Sequence, residues 1–86
     1  MSASPQLSVR LRCLSHLRQA LGADSLALDL PAGSTASDLE ARVREMLPER
    51  LRGLVFRVAV NHAIVTGTAP LTDGDEVALL PPMQGG

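Results

Sequence analysis

The sequence contains no lysine, no tryptophan and no tyrosine, a single phenylalanine (Phe56) and a single cysteine (Cys13). Each absence excludes something. Without lysine the chain offers no side-chain amine, so it can neither form a Schiff base nor accept an isopeptide bond on a side chain. All eight basic residues are arginines, and compositional drift is the simplest account of that. One aromatic ring gives no platform on which bases could stack, so no nucleic-acid partner is expected. One cysteine excludes an internal disulfide and a multi-cysteine metal centre; Cys13 falls on the apolar side of a strand pattern and reads as a core residue. His16 and His62 stand far apart, without other ligands at metal-binding spacing. No apolar run approaches the ~20 residues that span a bilayer. The opening residues MSASPQ have neither the basic start nor the apolar stretch of a secretory leader. The expectation is a reducing, cytoplasmic location with no membrane contact. A net charge of −1 gives no reason to expect a polyanionic partner. No Ser/His/Asp or Cys/His arrangement and no glycine-rich phosphate loop is present. The chain is therefore expected not to be catalytic alone, and any use of ATP belongs to a partner.

What remains is a small, well-patterned domain. Eighty-six residues, 45% of them apolar, suit one packed domain rather than a disordered segment. A chain of this size buries about 60–65% of its unfolded surface, so its stability is modest. Residues 1–6 are small and polar and are expected to fray. From Leu7 the chain alternates, with Leu7, Val9, Leu11 and Cys13 on one face and Ser8, Arg10 and Arg12 on the other, the mark of a half-buried strand. Ser15 to Leu21 predicts a short helical turn, with Leu17 and Leu21 at i, i+4 and Gly22 as its stop. Leu26, Leu28 and Leu30 alternate again, and the two strands form a wide hairpin. Thr35 predicts a helix N-cap with Asp38 at N3, in competition with a Ser37–Glu40 capping box. Ala36, Leu39, Val43, Met46 and Leu47 form the buried stripe of that helix. Glu40, Arg42, Arg44 and Glu45 form its solvated face, and Pro48 ends it. After a connector over 49–54, Phe56, Val58 and Val60 alternate with Arg57, Ala59 and Asn61. Asn61-His62-Ala63 turns the chain into a short return strand at Ile64-Val65, and a loop over 67–70 follows. Asp73, Gly74, Asp75 and Glu76 are too few, and wrongly spaced, for a calcium loop, and Gly74 reads as a turn residue. In the last strand Val77 and Leu79 face one way, Ala78 and Leu80 the other.

One covering helix against four or five strands predicts an α+β fold with two layers. The economical arrangement packs the helix stripe on one sheet face and sets the first and last strands parallel, side by side, in the middle. This is the β-grasp, or ubiquitin-like, arrangement: a mixed four- to five-stranded sheet on one main helix. Residues 1–80 form the single domain.

Residues 81–86, Pro-Pro-Met-Gln-Gly-Gly, have no packing role in this pattern. Pro81 and Pro82 fix φ near −65° and lower the entropy of a projecting tail. Six residues reach at most about 20 Å. Gly85 and Gly86 lack Cβ atoms, so a terminal acyl group on Gly86 could enter a narrow slot in extended form. A free carboxylate is a poor electrophile; a partner enzyme would have to activate it, for example as an acyl-adenylate, and if the nucleophile that then takes it delivers sulfur, the tail becomes a thiocarboxylate.

Arg57–Val65 (RVAVNHAIV) and Pro70–Gly86 (PLTDGDEVALLPPMQGG) resemble the small subunit of molybdopterin synthase, a ubiquitin-like sulfur carrier related to the thiamine-pathway carrier. Val60-Asn61, Gly74-Asp75-Glu76-Val77, Pro81-Pro82 and Gly85-Gly86 match its ending. Cys13 to Gly22 matches more loosely, and the family usually carries an aromatic pair where this chain has Arg12-Cys13. The resemblance implies that an E1-like adenylyltransferase/sulfurtransferase adenylates Gly86 with ATP and that sulfur replaces AMP. The tail then enters the large subunit of molybdopterin synthase, in a heterotetramer, and gives sulfur to cyclic pyranopterin monophosphate. Two carriers supply the dithiolene of molybdopterin. No cofactor is bound tightly by the carrier itself.

If Val77 and Leu79 face the helix, Ala78 and Leu80 face outward with Ala59, Arg10, Arg12 and Arg57. That face, continued by Pro81, Pro82 and Met83, is the expected docking surface. A homodimer of free carriers through the same face is an open alternative. So are a sulfur carrier for thiazole or cysteine synthesis, a protein-conjugating modifier, and an interaction domain with an inert tail.

Overall fold

The structure is a computed structural model that describes residues 6–53 and 55–80, without the side chains of Ser15 and His16. Five strands and two helices follow in the order β1 (Gln6–Arg12), α1 (Ser15–Leu21), β2 (Ser25–Pro31), α2 (Ala36–Met46), β3 (Arg57–Val60), β4 (Ala63–Val65) and β5 (Glu76–Leu80). One 3₁₀ turn, Glu49–Leu51, lies in the connector before β3. The sheet order is β2-β1-β5-β3-β4. β1 and β5 run parallel at its centre, Arg10 beside Glu76 and Arg12 beside Ala78, and the other pairings are antiparallel. This is the expected β-grasp. Pairing reaches one residue further than the alternation suggests: Gln6 lies opposite Pro31, so β1 takes up the last residue of the stretch expected to fray.

The alternation of β1 is reproduced residue by residue, with Leu7, Val9 and Leu11 buried. α1 is a full two-turn helix that buries Leu17 and ends on Gly22 at φ 74°. α2 is capped as Thr35 and Asp38 foretell: Asp38 N donates to Thr35 Oγ1 (3.3 Å) and Thr35 N donates to Asp38 Oδ2 (2.9 Å). The competing Ser37–Glu40 box is not formed, because Glu40 instead accepts from Arg44 Nη2 at 2.7 Å. The stripe of α2 buries Ala36, Leu39 and Val43, but Met46 is 39% exposed. Met46 is the last helical residue, on the shoulder of the stripe. Leu47, off the helix with extended backbone (φ −90°, ψ 150°), turns into the core in its place.

The expected solvated face of α2 also needs correction at Arg44. Its guanidinium donates to Glu40 and to the carbonyl of Arg52, and it lies 5.8 Å from the centre of the Phe56 ring. It ties the helix to the connector and covers the one aromatic ring of the core. The core lies between α2 and the inner sheet face, closed at the strand ends by Leu17, Leu47, Phe56 and Leu71.

Candidate functional site

β5 ends at Leu80, where the described part of the chain ends. Its pleat divides its residues. Val77 and Leu79 are fully buried beneath α2, while Glu76, Ala78 and Leu80 stand half-buried on the opposite face. Register builds a row across that outer face: Ser25, Arg12, Ala78, Ala59 and Ile64 come from β2, β1, β5, β3 and β4 in turn. The small residues in the middle of the row leave a shallow valley of about 450 Å³. Ala59 and Ala78 form its floor. Leu14, Ile64 and Leu80 are its apolar walls, and Arg12, His62 and Glu76 its polar rim.

Of the residues expected to dock a partner, the structure brings Arg12, Ala59, Ala78 and Leu80 together here. Ala59, expected as an exposed contact, is only 8% exposed; its larger neighbours cover it, and a partner would meet it at the bottom of the valley. Arg57 flanks the valley through its pairing with Leu80 but does not line it. Arg10 lines a separate hollow beside Asp73 and Gly74. Arg12 is not a free cation, since Glu76 lies 3.5 Å away. Pro81, Pro82, Met83, Gly85 and Gly86 lie outside the described residues.

Sequence reasoning misses four residues that line the valley, Leu14, His62, Ile64 and Glu76. Ile64, 58% exposed, carried a usable signal: it stands opposite Ala59 in the short return strand, which puts it on the outward face. Leu14 carried none, because it follows the strand and its direction depends on the turn into α1.

The valley is held in place by a polar staple. Asp75, at 9% exposure, accepts from Thr72 N (2.8 Å), Thr72 Oγ1 (3.0 Å) and Asn61 Nδ2 (3.0 Å). The Thr72 amide holds the Asp75 carboxyl below its ordinary pKa against the opposing pull of burial, with Asn61 and the Thr72 hydroxyl helping. Asn61 Oδ1 in turn accepts from Glu76 N at 3.0 Å. The staple thus fixes the β3–β4 turn against the start of β5. Asp73 accepts from Ser8 N at 2.7 Å, and Gly74, at φ 90°, supplies the left-handed residue of the turn. Asp75 thus braces the turn, and Asp73 ties it to β1. Cys13 is buried, its thiol raised above the ordinary pKa by burial first and by the charge of Asp24 second; it is a core residue.

Residues 12–86 match the model of the ThiS family. The chain belongs to the ThiS family. Like the valley, that match runs through β5, and it continues over the tail. Among relatives, the molybdopterin synthase sulfur carrier subunit of Escherichia coli (strain K12) is 31% identical over 80 residues, covering 91% of this chain and 99% of the relative. A solved Pyrococcus furiosus chain, assigned as molybdopterin converting factor subunit 1, superposes with a TM-score of 0.80. It is 26% identical, over 90% of this chain and 99% of its own. A chain from the complex of subunits 1 and 2 of the Helicobacter pylori 26695 molybdopterin-converting factor superposes with a TM-score of 0.62. It is 25% identical, over 93% of this chain and 100% of its own. Among the described residues of this ThiS-family chain, no helix is long and apolar enough to cross a membrane.

Proposed function

We propose that this chain is the sulfur-carrier subunit of a molybdopterin synthase, working in the cytoplasm. Gly86 carries the reactive acyl group and Gly85 gives it slim access. The carboxylate of Gly86 attacks the α-phosphate of ATP on an E1-like enzyme, giving an acyl-adenylate and releasing pyrophosphate. Sulfur at the hydrosulfide level then attacks the acyl carbon and displaces AMP, leaving a thiocarboxylate. The loaded tail enters a large subunit, where its sulfur bonds to a carbon of cyclic pyranopterin monophosphate and water then cleaves the acyl carbon–sulfur bond, returning Gly86 to a carboxylate. The body contributes grip: Leu80, Ala78 and Ala59 offer an apolar seat, Arg12 and Arg57 flank it, and Arg10 lies further off on the same face. Pro81, Pro82 and Met83 lead from that seat into the tail. Two carriers and two large subunits give the heterotetramer.

The observation that carries this reading is the outward valley ending at Leu80, immediately before Pro-Pro-x-x-Gly-Gly, in a ThiS-family chain. The curated relative is named as a sulfur carrier of molybdopterin synthase, and a solved relative lies in a complex with its second subunit. The test is the intact mass of the chain after incubation with its activating enzyme, ATP and a sulfur source. The expected gain is that of one oxygen replaced by sulfur. A chain that leaves the reaction with unchanged mass, or joined to a protein amine, would overturn the reading.

A further inference from the structure

β3 and β4 are joined by two residues alone, since Val60 pairs directly with Ala63. Both loop residues are left-handed, Asn61 at φ 50° and His62 at φ 74°. This is the type I′ hairpin turn, whose second position favours glycine because a Cβ is strained there. Among the described residues these are the two non-glycine positions with positive φ. Their circumstances differ. Asn61 offsets its strain inside the chain: Nδ2 donates to Asp75, Oδ1 accepts from Glu76 N, and its own amide donates to the Glu76 carbonyl at 2.7 Å. His62 makes no side-chain hydrogen bond or ion pair among the described residues, and it is exposed. Glycine would fit the turn with less strain. The imidazole nevertheless stands on the rim of the valley, where Glu76 is already engaged by Arg12.

We infer that His62 is a recognition residue of the docking face, held in a strained conformation because its side chain bonds to the partner rather than to its own domain. This rests on the docking role proposed above. The partner feature it fits is a hydrogen-bond acceptor, a carboxylate or main-chain carbonyl, set beside an apolar side chain that fills the valley over Ala59 and Ala78. Such a pairing of a buried apolar anchor with a polar rim contact is how protein interfaces combine affinity with register.

Stability and docking should therefore move in opposite directions on substitution. His62→Gly is expected to keep or raise the thermal midpoint of the free chain, because glycine relieves the left-handed strain. It should weaken binding to the large molybdopterin synthase subunit of the same organism by about five- to tenfold in calorimetry. His62→Asn, which also tolerates the left-handed region but is too short to reach the partner, should behave alike. Leu80→Asp is the control for the docking role itself. If Leu80→Asp weakens binding while both His62 variants bind like the parent, the inference fails and the docking role stands. If none of the three weakens binding, the docking role fails. A clear drop in midpoint for His62→Gly would show that the imidazole supports its own fold, and would also overturn the inference.

Discussion

At the scale of single residues, Asp75 and Leu79 show two kinds of necessity. Asp75 is a nearly buried carboxylate satisfied by three donors. Its folded pKa is depressed, so it contributes stability that is fully present above the unfolded carboxylate value. That contribution is lost as the pH falls from about 4 toward the lower folded value. Asp75→Asn is expected to cost about 1–3 kcal/mol at neutral pH and to flatten the acid limb of stability against pH. Chemical denaturation at a series of pH values between neutrality and the acid range reads both effects. An acid limb identical to the parent's would assign the pH dependence to other carboxylates. Leu79 is completely buried under α2, and Leu79→Ala is expected to cost about 2–5 kcal/mol by equilibrium denaturation. Because Leu79 faces away from the valley, the folded fraction of that variant should bind the large subunit as the parent does.

At the scale of elements, β5 serves the core with one face and the outward valley with the other. Residues of β5 alternate between the core and the valley, so substitutions at Leu79 and at its neighbour Leu80 probe different faces. Leu80→Asp leaves the core untouched and puts a charge on the apolar wall. The expected outcome is a thermal midpoint close to the parent's and a loss of at least about tenfold in affinity for the large subunit, read by calorimetry. α2 offers a purely structural counterpart. Thr35→Ala removes one half of the capping box and is expected to cost about 1 kcal/mol in denaturation. Both elements are legible in the sequence because their signals are local: a period of two for β5, a stripe and a Thr-x-x-Asp start for α2. Parallel pairing of β1 with β5 follows from having one helix to cover one sheet, together with the family resemblance. The errors come where geometry is non-local. Arg44 looks like any solvated arginine until the connector brings the Arg52 carbonyl and Phe56 to it. Met46 satisfies the stripe but sits where the helix ends, and Leu47 replaces it. The residues expected to dock a partner share one sheet face, but Arg10 and Arg57 do not line the hollow that holds Arg12, Ala59, Ala78 and Leu80. Strand parity places Arg10, Arg12, Arg57, Ala59, Ala78 and Leu80 on one side, but only register decides which of them line one hollow. The strain at His62 has no sequence signature beyond a histidine where a two-residue turn prefers glycine.

At the scale of the whole molecule, the proposed function gives the body and the last six residues different duties. Among the described residues, a core of sixteen buried residues closes around α2 between Leu7 and Leu79. Under the proposed division between a folded body and a projecting tail, folding of the body should not depend on Gly85 or Gly86. The proposed chemistry depends on them completely, because the terminal carboxylate is the atom group that is activated and a shortened tail cannot span the same reach. Removing Gly85 and Gly86 is therefore expected to leave the denaturation midpoint within about a degree of the parent's, a change of well under 1 kcal/mol. Binding to the large subunit through the valley should survive, with whatever the tail adds to it lost. Sulfur incorporation with the activating enzyme, ATP and a sulfur source should fall to nothing in the intact mass. A midpoint lowered by several degrees would make the tail part of the folded body. Sulfur gained by the shortened chain would move the carrier site away from Gly86. The pair of readouts, midpoint and mass, thus separates a domain that presents a reactive end from a domain that merely stops there.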